Sequence, residues 1–529
     1  MKKLLFTICV CFTGVILSQE KNPNVELPDF VIFGKDIISV RKVEKLNPDF
    51  ISTVSSEFLK PNYKPDQLNV VDISNPVGRD LSLLDTADYR NGFIELKAGR
   101  YELPAGELNY AYPFTRGLLH GSVKGLNQLE YIDNSDRQYL EGSLDFAYTL
   151  PTDLTTLPGT KFSLSGDHSN NYFKFFGSID PERKRTLKIG NASFGIQNLY
   201  MKEFIFDLKA GSNFTYLDNE KFSEALYFGN GFARFKLENF GLGIKASYQT
   251  QKLTTDSLSE YNTNYFFIRP TVSLEIFNKI ILEAGFTFSR SGDNYLNSLF
   301  ASVGAELTKN LVLLGEYSPL GENLTAGRFL RDNFYYDQQY LPQIFLKKKN
   351  KLRATLKYEF SSYYQIDGGV EYFSSNNFPY YNNPDRIGFY EIKTTDVKNF
   401  NFFLHLLYHL GPYGYLYAGF NYLNINNSDS KTIPYNPNFN ANLAYGYYFL
   451  PELKGEARLN YLSNRYADLE NQVKLSSIWN LDLKITYEID KNIGVFFELN
   501  NILNTKRFIW ENYQLKPVDV LAGVNFFFQ

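Results

Sequence analysis

The sequence WNLDLKITYEIDKNIGVFFEL at residues 479–499 indicates the fold most clearly, because apolar and polar side chains alternate along it. A period of two indicates a β-strand with one dry face and one wet face. The apolar face carries Trp479, Leu481, Leu483, Ile485, Tyr487 and Ile489. The polar face carries Asn480, Asp482, Lys484, Thr486 and Glu488. Asp490–Asn492 then leads directly into a second alternating run from Ile493, so the stretch predicts an antiparallel hairpin.

Hairpins of this kind recur from about residue 89 to the end of the chain. Tight turns alternate with longer connections such as Ser318–Lys348 and Ser374–Lys398. A membrane barrel has this asymmetry, with short turns at one end and long loops at the other. We therefore predict an all-β fold, a transmembrane antiparallel β-barrel of about 20–22 strands, with 22 as the best value. The alternative, a soluble sandwich or propeller, normally uses shorter strands of about five or six residues.

The first residues indicate export. A basic pair at residues 2–3 precedes the apolar run Leu4–Leu17, which is typical of a cleaved signal peptide covering residues 1–18. Cys9 and Cys11 are the only cysteines, so the mature chain has no thiol for a disulfide or a metal site. Removing the two lysines lowers the formal net charge from −3 to −5, which argues against a nucleic-acid partner. The 47 Phe and 40 Tyr suit contact with lipid in a bacterial-type outer membrane.

Residues 19–88 follow a different pattern from the rest of the chain. They contain six prolines and little alternation. Proline disfavours both long helices and central strands. We therefore predict a short, mostly extended periplasmic segment or partial plug at residues 19–88, followed by the barrel at residues 89–529.

The end of the chain resembles the C-terminus of TonB-dependent outer-membrane receptors. An asparagine-rich run at Glu498–Asn504 follows a strand, an aromatic patch lies at Trp510–Tyr513, and a closing strand spans Val520–Phe528. The residues that resemble the signal read by the barrel assembly machinery are Gly523, Phe526 and Phe528. One departure is Gln529, which follows the last aromatic residue. The resemblance implies a receptor-like barrel, the assembly machinery as a partner, and a small-molecule solute.

A short apolar run within the N-terminal segment resembles the box that pairs with TonB by strand addition. Its residues are Asp29, Phe30, Val31, Ile32, Phe33 and Gly34. An extended apolar segment near a terminus suits such pairing, so TonB or another periplasmic protein is an expected partner. An ordinary strand or a tether in the barrel mouth is the alternative interpretation. Because the segment is shorter than the plug domain of the family, the resemblance implies a truncated or missing plug.

The sequence contains no pattern for a catalytic, cofactor or metal site. His405 and His409 lie on one predicted strand, where a spacing of four residues separates them by about 13 Å. Asp167, His168 and Ser169 bring triad residue types together at a predicted tight turn, but adjacent residues cannot form the relayed geometry. We therefore predict that the protein is not an enzyme and that it needs no cofactor.

The longest connection, Ser318–Lys348, is the candidate for solute recognition. Cations and aromatic rings together suit anionic or sugar-like ligands. The candidate contacts are Arg328, Arg331, Tyr335, Tyr336 and Tyr340. One alternative is a solvated loop whose rings anchor it at the rim, and another is a loop that folds inward as a constriction.

The predicted function is passage or uptake of a solute through a polar lumen. The runner-up is a non-transport role as a structural or docking subunit of a cell-envelope assembly, in which residues 19–88 would tether a partner.

Overall fold

The computed structural model of the protein describes residues 90–528, apart from residues 202, 219, 256–259, 278, 338–343, 361–363, 384–385 and 410–412. The predicted signal peptide and the predicted N-terminal segment lie outside the described residues. Regular structure in the described residues is almost entirely β. No helix in this part of the chain is long and apolar enough to cross a membrane.

Among the described residues, the chain forms 27 strands and one α-helix, α1 (Ala326–Asp332). The strands before α1 are β1 (Gly92–Gly99), β2 (Glu102–Phe114), β3 (Gly117–Gln128), β4 (Arg137–Thr149), β5 (Lys161–Lys174), β6 (Lys184–Asn198), β7 (Phe204–Leu217), β8 (Phe222–Leu237), β9 (Phe240–Thr254), β10 (Tyr261–Ile276), β11 (Ile280–Ser291), β12 (Asn294–Thr308), β13 (Leu311–Tyr317) and β14 (Leu320–Leu324). Those after it are β15 (Ile344–Phe360), β16 (Tyr364–Asn382), β17 (Glu391–His409), β18 (Gly414–Asn427), β19 (Phe439–Leu450), β20 (Leu453–Leu462), β21 (Arg465–Tyr466), β22 (Lys474–Leu475), β23 (Ile478–Glu488), β24 (Ile493–Asn500), β25 (Phe508–Trp510), β26 (Tyr513–Gln514) and β27 (Asp519–Phe528).

The wall of the molecule is a closed antiparallel barrel of 22 strands. Each wall strand pairs with the next wall strand along the chain, and β27 pairs with β1 to close the ring. The short pairs β21–β22 and β25–β26 form two small sheets of their own outside the wall. β13 and β14 occupy one position in the wall, since both pair with β15. Pro319 lies between them, and a residue without an N–H interrupts the ladder there. The predicted strand number is therefore confirmed.

The two faces of the wall have opposite polarity. On β23, the outward side chains of Trp479, Ile485 and Tyr487 are each about half exposed. Lys484, which directly precedes Ile485, points inward and forms an ion pair with Glu498 of β24 at 2.8 Å. An apolar outer surface and a polar interior are what a membrane-spanning barrel requires.

The barrel has two distinct ends. We call the end that holds Gly92 and Phe528 the terminal end, and the opposite end the loop end. Most connections at the terminal end are tight, such as residues 238–239 and 451–452, whereas most at the loop end are longer. The exceptions are the tight loop-end turns at residues 100–101 and 292–293 and the longer terminal-end connection at residues 150–160.

Two local sequence predictions are wrong. Ser374–Lys398 is not a loop, since β16 runs on to Asn382 and β17 begins at Glu391. Its polar side chains do not stop strand pairing, because the ladder is made by the backbone. Asp167–Ser169 is not a turn but the middle of β5, where Asp167 stands opposite Ser143 and Asn191. Small polar residues that suggest a turn are equally suited to the inner face of a barrel.

Candidate functional site

The loop end is bridged across its diameter by two connections, residues 175–183 and 383–390. Eight wall strands separate these connections in one direction around the ring and ten in the other, so they start from opposite sides. They nevertheless meet: the Ile179 N–H donates to the Ile387 carbonyl at 3.1 Å. The Phe175 ring stacks on Phe389 with centroids 4.9 Å apart. We call this contact the bridge, and it divides the opening of the barrel.

Beneath the bridge, residues 325–337 fold inward as a cap segment that contains α1. Its side chains Phe329, Leu330 and Tyr336 are at most 4% exposed. They share one apolar cluster with inward residues near the loop ends of five strands, namely Phe173, Leu187, Leu217, Phe222 and Leu253. Burial of each such side chain contributes about 1.5–3 kcal/mol. The inner wall is therefore apolar where the cap segment lies against it.

The start of the cap segment is anchored by a carboxylate. Thr325 caps α1, because its side chain accepts from the Arg328 N–H at 3.4 Å. Both carboxylate oxygens of Glu224 on β8 accept from the Gly327 N–H at 3.1 Å. Glycine is required there, since a Cβ at Gly327 would lie 2.4 Å from Thr215 Oγ1 and 2.6 Å from Glu224 Oε1. A buried carboxyl group therefore accepts from an N–H group at the start of the helix that has no partner within the helix.

The end of the cap segment is anchored by a guanidinium. Arg185 on β6 is fully buried and donates through Nη1 to the carbonyls of Phe334 at 2.8 Å and Tyr336 at 2.7 Å. Its Nε and Nη2 donate to the two carboxylate oxygens of Glu220 at 2.9 and 3.0 Å. Burial alone would raise the pKa of Glu220, but the guanidinium groups of Arg185 and Arg183 hold it below its usual value of 4.5. The pair is therefore charged at neutral pH.

An aromatic layer connects the cap segment with the last loop-end connection, residues 501–518. The rings of Tyr335 and Tyr513 stack with centroids 3.4 Å apart. The Tyr513 hydroxyl donates to the Gly388 carbonyl at 2.7 Å, and the Tyr390 hydroxyl donates to the Glu511 carbonyl at 2.8 Å. The rings that continue the layer are Tyr131, Phe176, Tyr381, Tyr435 and Trp510. The layer, the bridge and the cap segment together cover the loop end.

Residues 325–337, the described part of the predicted recognition loop between β14 and β15, therefore fold inward, which agrees with one of its three interpretations. Tyr336 is fully buried, and Tyr335 packs within the aromatic layer. Arg328 is exposed and Arg331 is half-buried, so these two are the predicted contacts open to solvent. Tyr340 lies outside the described residues. A ligand role for this set stays a prediction.

The lumen below the cap segment is polar. Inward hydroxyls pair across neighbouring strands, as in Ser122–Ser143 at 2.7 Å and Ser165–Ser193 at 2.6 Å. Charged groups also pair, and His405 lies 3.0 Å from an oxygen of Asp367. No group of three metal-ligating side chains occurs in the described part of the chain.

The remaining predicted sites lie at the two chain ends. Gly523 faces inward on β27, where a Cβ would lie 2.2 Å from the Phe496 ring and 2.6 Å from the Leu96 carbonyl. Phe526 is outward and exposed, and the Phe528 ring meets Tyr110 edge-on at 6.5 Å. Their role in barrel assembly stays a prediction. The TonB-box-like run Asp29–Gly34 lies outside the described residues.

Sequence reasoning missed the residues that anchor the cap segment, namely Arg185, Glu220 and Glu224. One signal was present, because apolar residues such as Leu187 and Leu217 occupy inward positions at the loop ends of polar-lined strands. Apolar residues on a wet face require a covering element, and a charge beside them requires a partner.

No protein-family model and no curated protein matches the chain. Among solved structures, the chain is similar to the siderophore receptor PiuA from Acinetobacter baumannii, at 12% identity and a TM-score of 0.60 over 83% of this chain and 82% of that one. It is similar to the FrpB iron transporter from Neisseria meningitidis at 10% identity and a TM-score of 0.63, over 84% and 82%. It is also similar to the ferric-catecholate import receptor Fiu from E. coli K12, at 12% identity and a TM-score of 0.61 over 83% of this chain and 82% of that one. The chain therefore has the fold of a TonB-dependent outer-membrane receptor barrel, as its C-terminal motif predicted.

Proposed function

We propose that this protein is exported to a bacterial outer membrane and takes up a small solute through its lumen, with the loop end facing outward. The observation that carries the proposal is the cap segment, which closes a polar lumen by releasable side-chain contacts. A barrel that served only as a docking subunit would gain nothing from burying Arg185 and Glu224 to hold such a segment in place. The similar structures support uptake, since they include a siderophore receptor and an iron transporter.

Entry of solute requires the bridge and the cap segment to separate from the wall or from each other. The contacts that hold them are two hydrogen-bonded anchors, one apolar cluster and the aromatic layer. The apolar Asp29–Gly34 run supports a second part of the proposal, namely that TonB or another periplasmic protein pairs with the N-terminal segment and drives this separation.

Single-channel conductance in planar bilayers tests the proposal, with potassium chloride as the probe. The variant I179C/I387C places one thiol on each side of the bridge, and a short reducible bis-maleimide cross-linker joins them. We expect openings in the untreated variant, silence after cross-linking, and recovery after reduction. Each single-cysteine variant is the matched control, and it should be insensitive to the cross-linker.

A second comparison uses the full-length protein and a form that lacks residues 19–88. Conductance that appears only after the deletion would support a gated receptor in which this segment acts as the plug. Silence in the full-length protein, in the deletion form and in R185M, with all three folded, would overturn uptake and favour the docking role. The docking role predicts instead that residues 19–88 retain one periplasmic protein.

A further inference from the structure

The inner wall formed by β17–β20 carries a cluster of uncharged amides that we call the amide patch. Its members are Asn401, Asn421, Asn440, Asn442 and Asn460. Asn421 stands directly opposite Asn440 in the strand register, and Asn442 stands opposite Asn460. They point inward, because the residues that alternate with them are large apolar side chains exposed on the outer surface, namely Phe402, Tyr422 and Leu443.

The amide patch differs from other polar parts of the wall in its hydrogen bonding. Asn191, for example, donates to Asp167 at 2.6 Å, and Ser247 donates to Asn230 at 2.6 Å. None of the five amide side chains has a hydrogen-bond partner among the described residues, and the buried Oδ1 atoms of Asn401 and Asn421 are unsatisfied. Clustered polar groups without partners favour a ligand that supplies them.

Charge is absent from the centre of the patch. The inward residues around it on β17 and β18 include Phe403 and Tyr417. Charges border the patch on both sides and are paired: Glu371 of β16, which stands opposite Asn401, lies 3.8 Å from Lys351. On β20, Arg458 pairs with Glu456. An amide offers two donors and an acceptor, and a hydroxyl both donates and accepts. Neighbouring amides beside an aromatic ring therefore match a row of hydroxyl groups better than they match a formal charge.

We propose that the amide patch is a binding site for an uncharged, hydroxyl-rich solute of the carbohydrate class on its way through the lumen. This inference rests on the proposed uptake function and names its substrate class. Gly419 is part of the site, because a Cβ there would lie 2.2 Å from Asn442 Oδ1. Glycine leaves the room that this amide uses to reach across β18.

The test measures binding to the full-length protein in detergent by isothermal titration calorimetry. The probes are maltohexaose, which is neutral, and an oligogalacturonate of the same length, which is anionic. We expect maltohexaose to bind more tightly, and N401L/N421L/N442L to weaken it by about tenfold or more, since three hydrogen-bonding groups are lost. The matched control is S165A/S193A, which removes a paired polar group elsewhere on the wall and should leave binding unchanged.

The inference would be overturned if the triple variant bound maltohexaose as tightly as the wild-type protein does. It would also be overturned if the wild-type protein bound the anionic oligomer more tightly than maltohexaose. Binding that appears only after deletion of residues 19–88 would also overturn it, and would make the chain's own N-terminal segment the occupant of the patch. Failure of the inference is distinguishable from failure of uptake. In the first case the ion currents described above persist without oligosaccharide preference, and in the second no form of the folded protein conducts.

Discussion

The molecule is closed in two places, along its side and across its loop end, and the two closures use different forces. The side closure is the seam between β1 and β27, where an unbroken register runs from Gly92 opposite Phe528 to Gly99 opposite Leu521. The loop-end closure by the cap segment has no such ladder. It depends on buried rings, apolar side chains and two hydrogen-bonded anchors.

Ion pairs reinforce the seam on its inner face. Lys97 of β1 lies 3.4 Å from Glu498, and Lys484 lies 3.2 Å from Glu95 and 2.8 Å from Glu498. The network crosses β27 and joins β1 to β23 and β24. At the terminal end, Arg90 adds an ion pair to Glu488 at 2.6 Å.

The difference shows which closure can reopen. Opening the seam breaks a row of backbone hydrogen bonds in a place where lipid offers no replacement, so the seam is permanent. Opening the cap segment requires only that side chains change partners at an aqueous end. Variants at the loop-end closure should therefore change the conductance, whereas variants at the seam should change the stability of the barrel.

The largest effect is expected from R185M, which breaks the buried pair with Glu220. Loss of one partner of a buried ion pair costs about 3–5 kcal/mol, and two cap carbonyls lose their donor as well. The cap segment should detach while the barrel stays intact. The expected results are increased conductance and tryptic cleavage at Arg328 or Arg331.

K188M is the control for R185M, because Lys188 and Asp218 form a partly exposed pair at 2.7 Å. Such a pair contributes about 0–1 kcal/mol. If both variants left conductance and cleavage unchanged, Arg185 would not hold the cap segment.

A smaller effect is expected from G523A, which acts on the seam. The new methyl group meets the Phe496 ring and the Leu96 carbonyl, and overpacking of this kind costs about 1–3 kcal/mol. Heat-modifiable gel mobility should show a barrel that unfolds at lower temperature. G229A is the matched control, since nothing lies within 4 Å of its added Cβ. Equal unfolding temperatures for the two variants would contradict a tightly packed seam.

Acid should weaken the loop-end closure before it affects the seam ladder. The pKa of Glu220 is held below 4.5, so its contribution to closure is complete above about pH 4.5 and is lost as the pH falls below that value. Conductance of the wild-type protein should rise in this range. E220Q should remove most of this pH dependence of the conductance. A wild-type conductance that stays constant down to pH 3 would contradict the role of Glu220 in the closure.

The smallest effect is expected from Y131F at the edge of the aromatic layer. Burial raises the pKa of Tyr131 to about 12, so its hydroxyl stays protonated and donates to the Gln514 carbonyl at 2.8 Å. Loss of one neutral hydrogen bond costs about 1 kcal/mol. Occasional brief openings are the expected change, and an effect as large as that of R185M would mean that the layer, rather than the anchors, controls closure.

The fold was predictable because its signal is local and repeated. Alternation in stretches such as Trp479–Leu499 assigns each strand, and the asymmetry of the connections indicates a barrel. The cap segment was harder to predict, because Arg185 and its carbonyl partners at Phe334 and Tyr336 are about 150 residues apart in sequence. The turn predicted at Asp167–Ser169 was wrong because the serine and asparagine residues near Asp167 are favoured both in turns and at inward positions of a barrel strand.

The seam also determines the order in which the barrel can form. Nearly every other wall contact joins strands that are close in sequence, but the Lys97–Glu498 partners are 401 residues apart. Contacts over such a separation carry the largest loop-closure entropy and form late. The growing sheet is therefore an open ribbon with two unpaired edges until β27 exists. Only the pairing of β27 on both of its sides removes both edges at once. This strand is therefore the point at which an aggregation-prone sheet becomes a sealed wall.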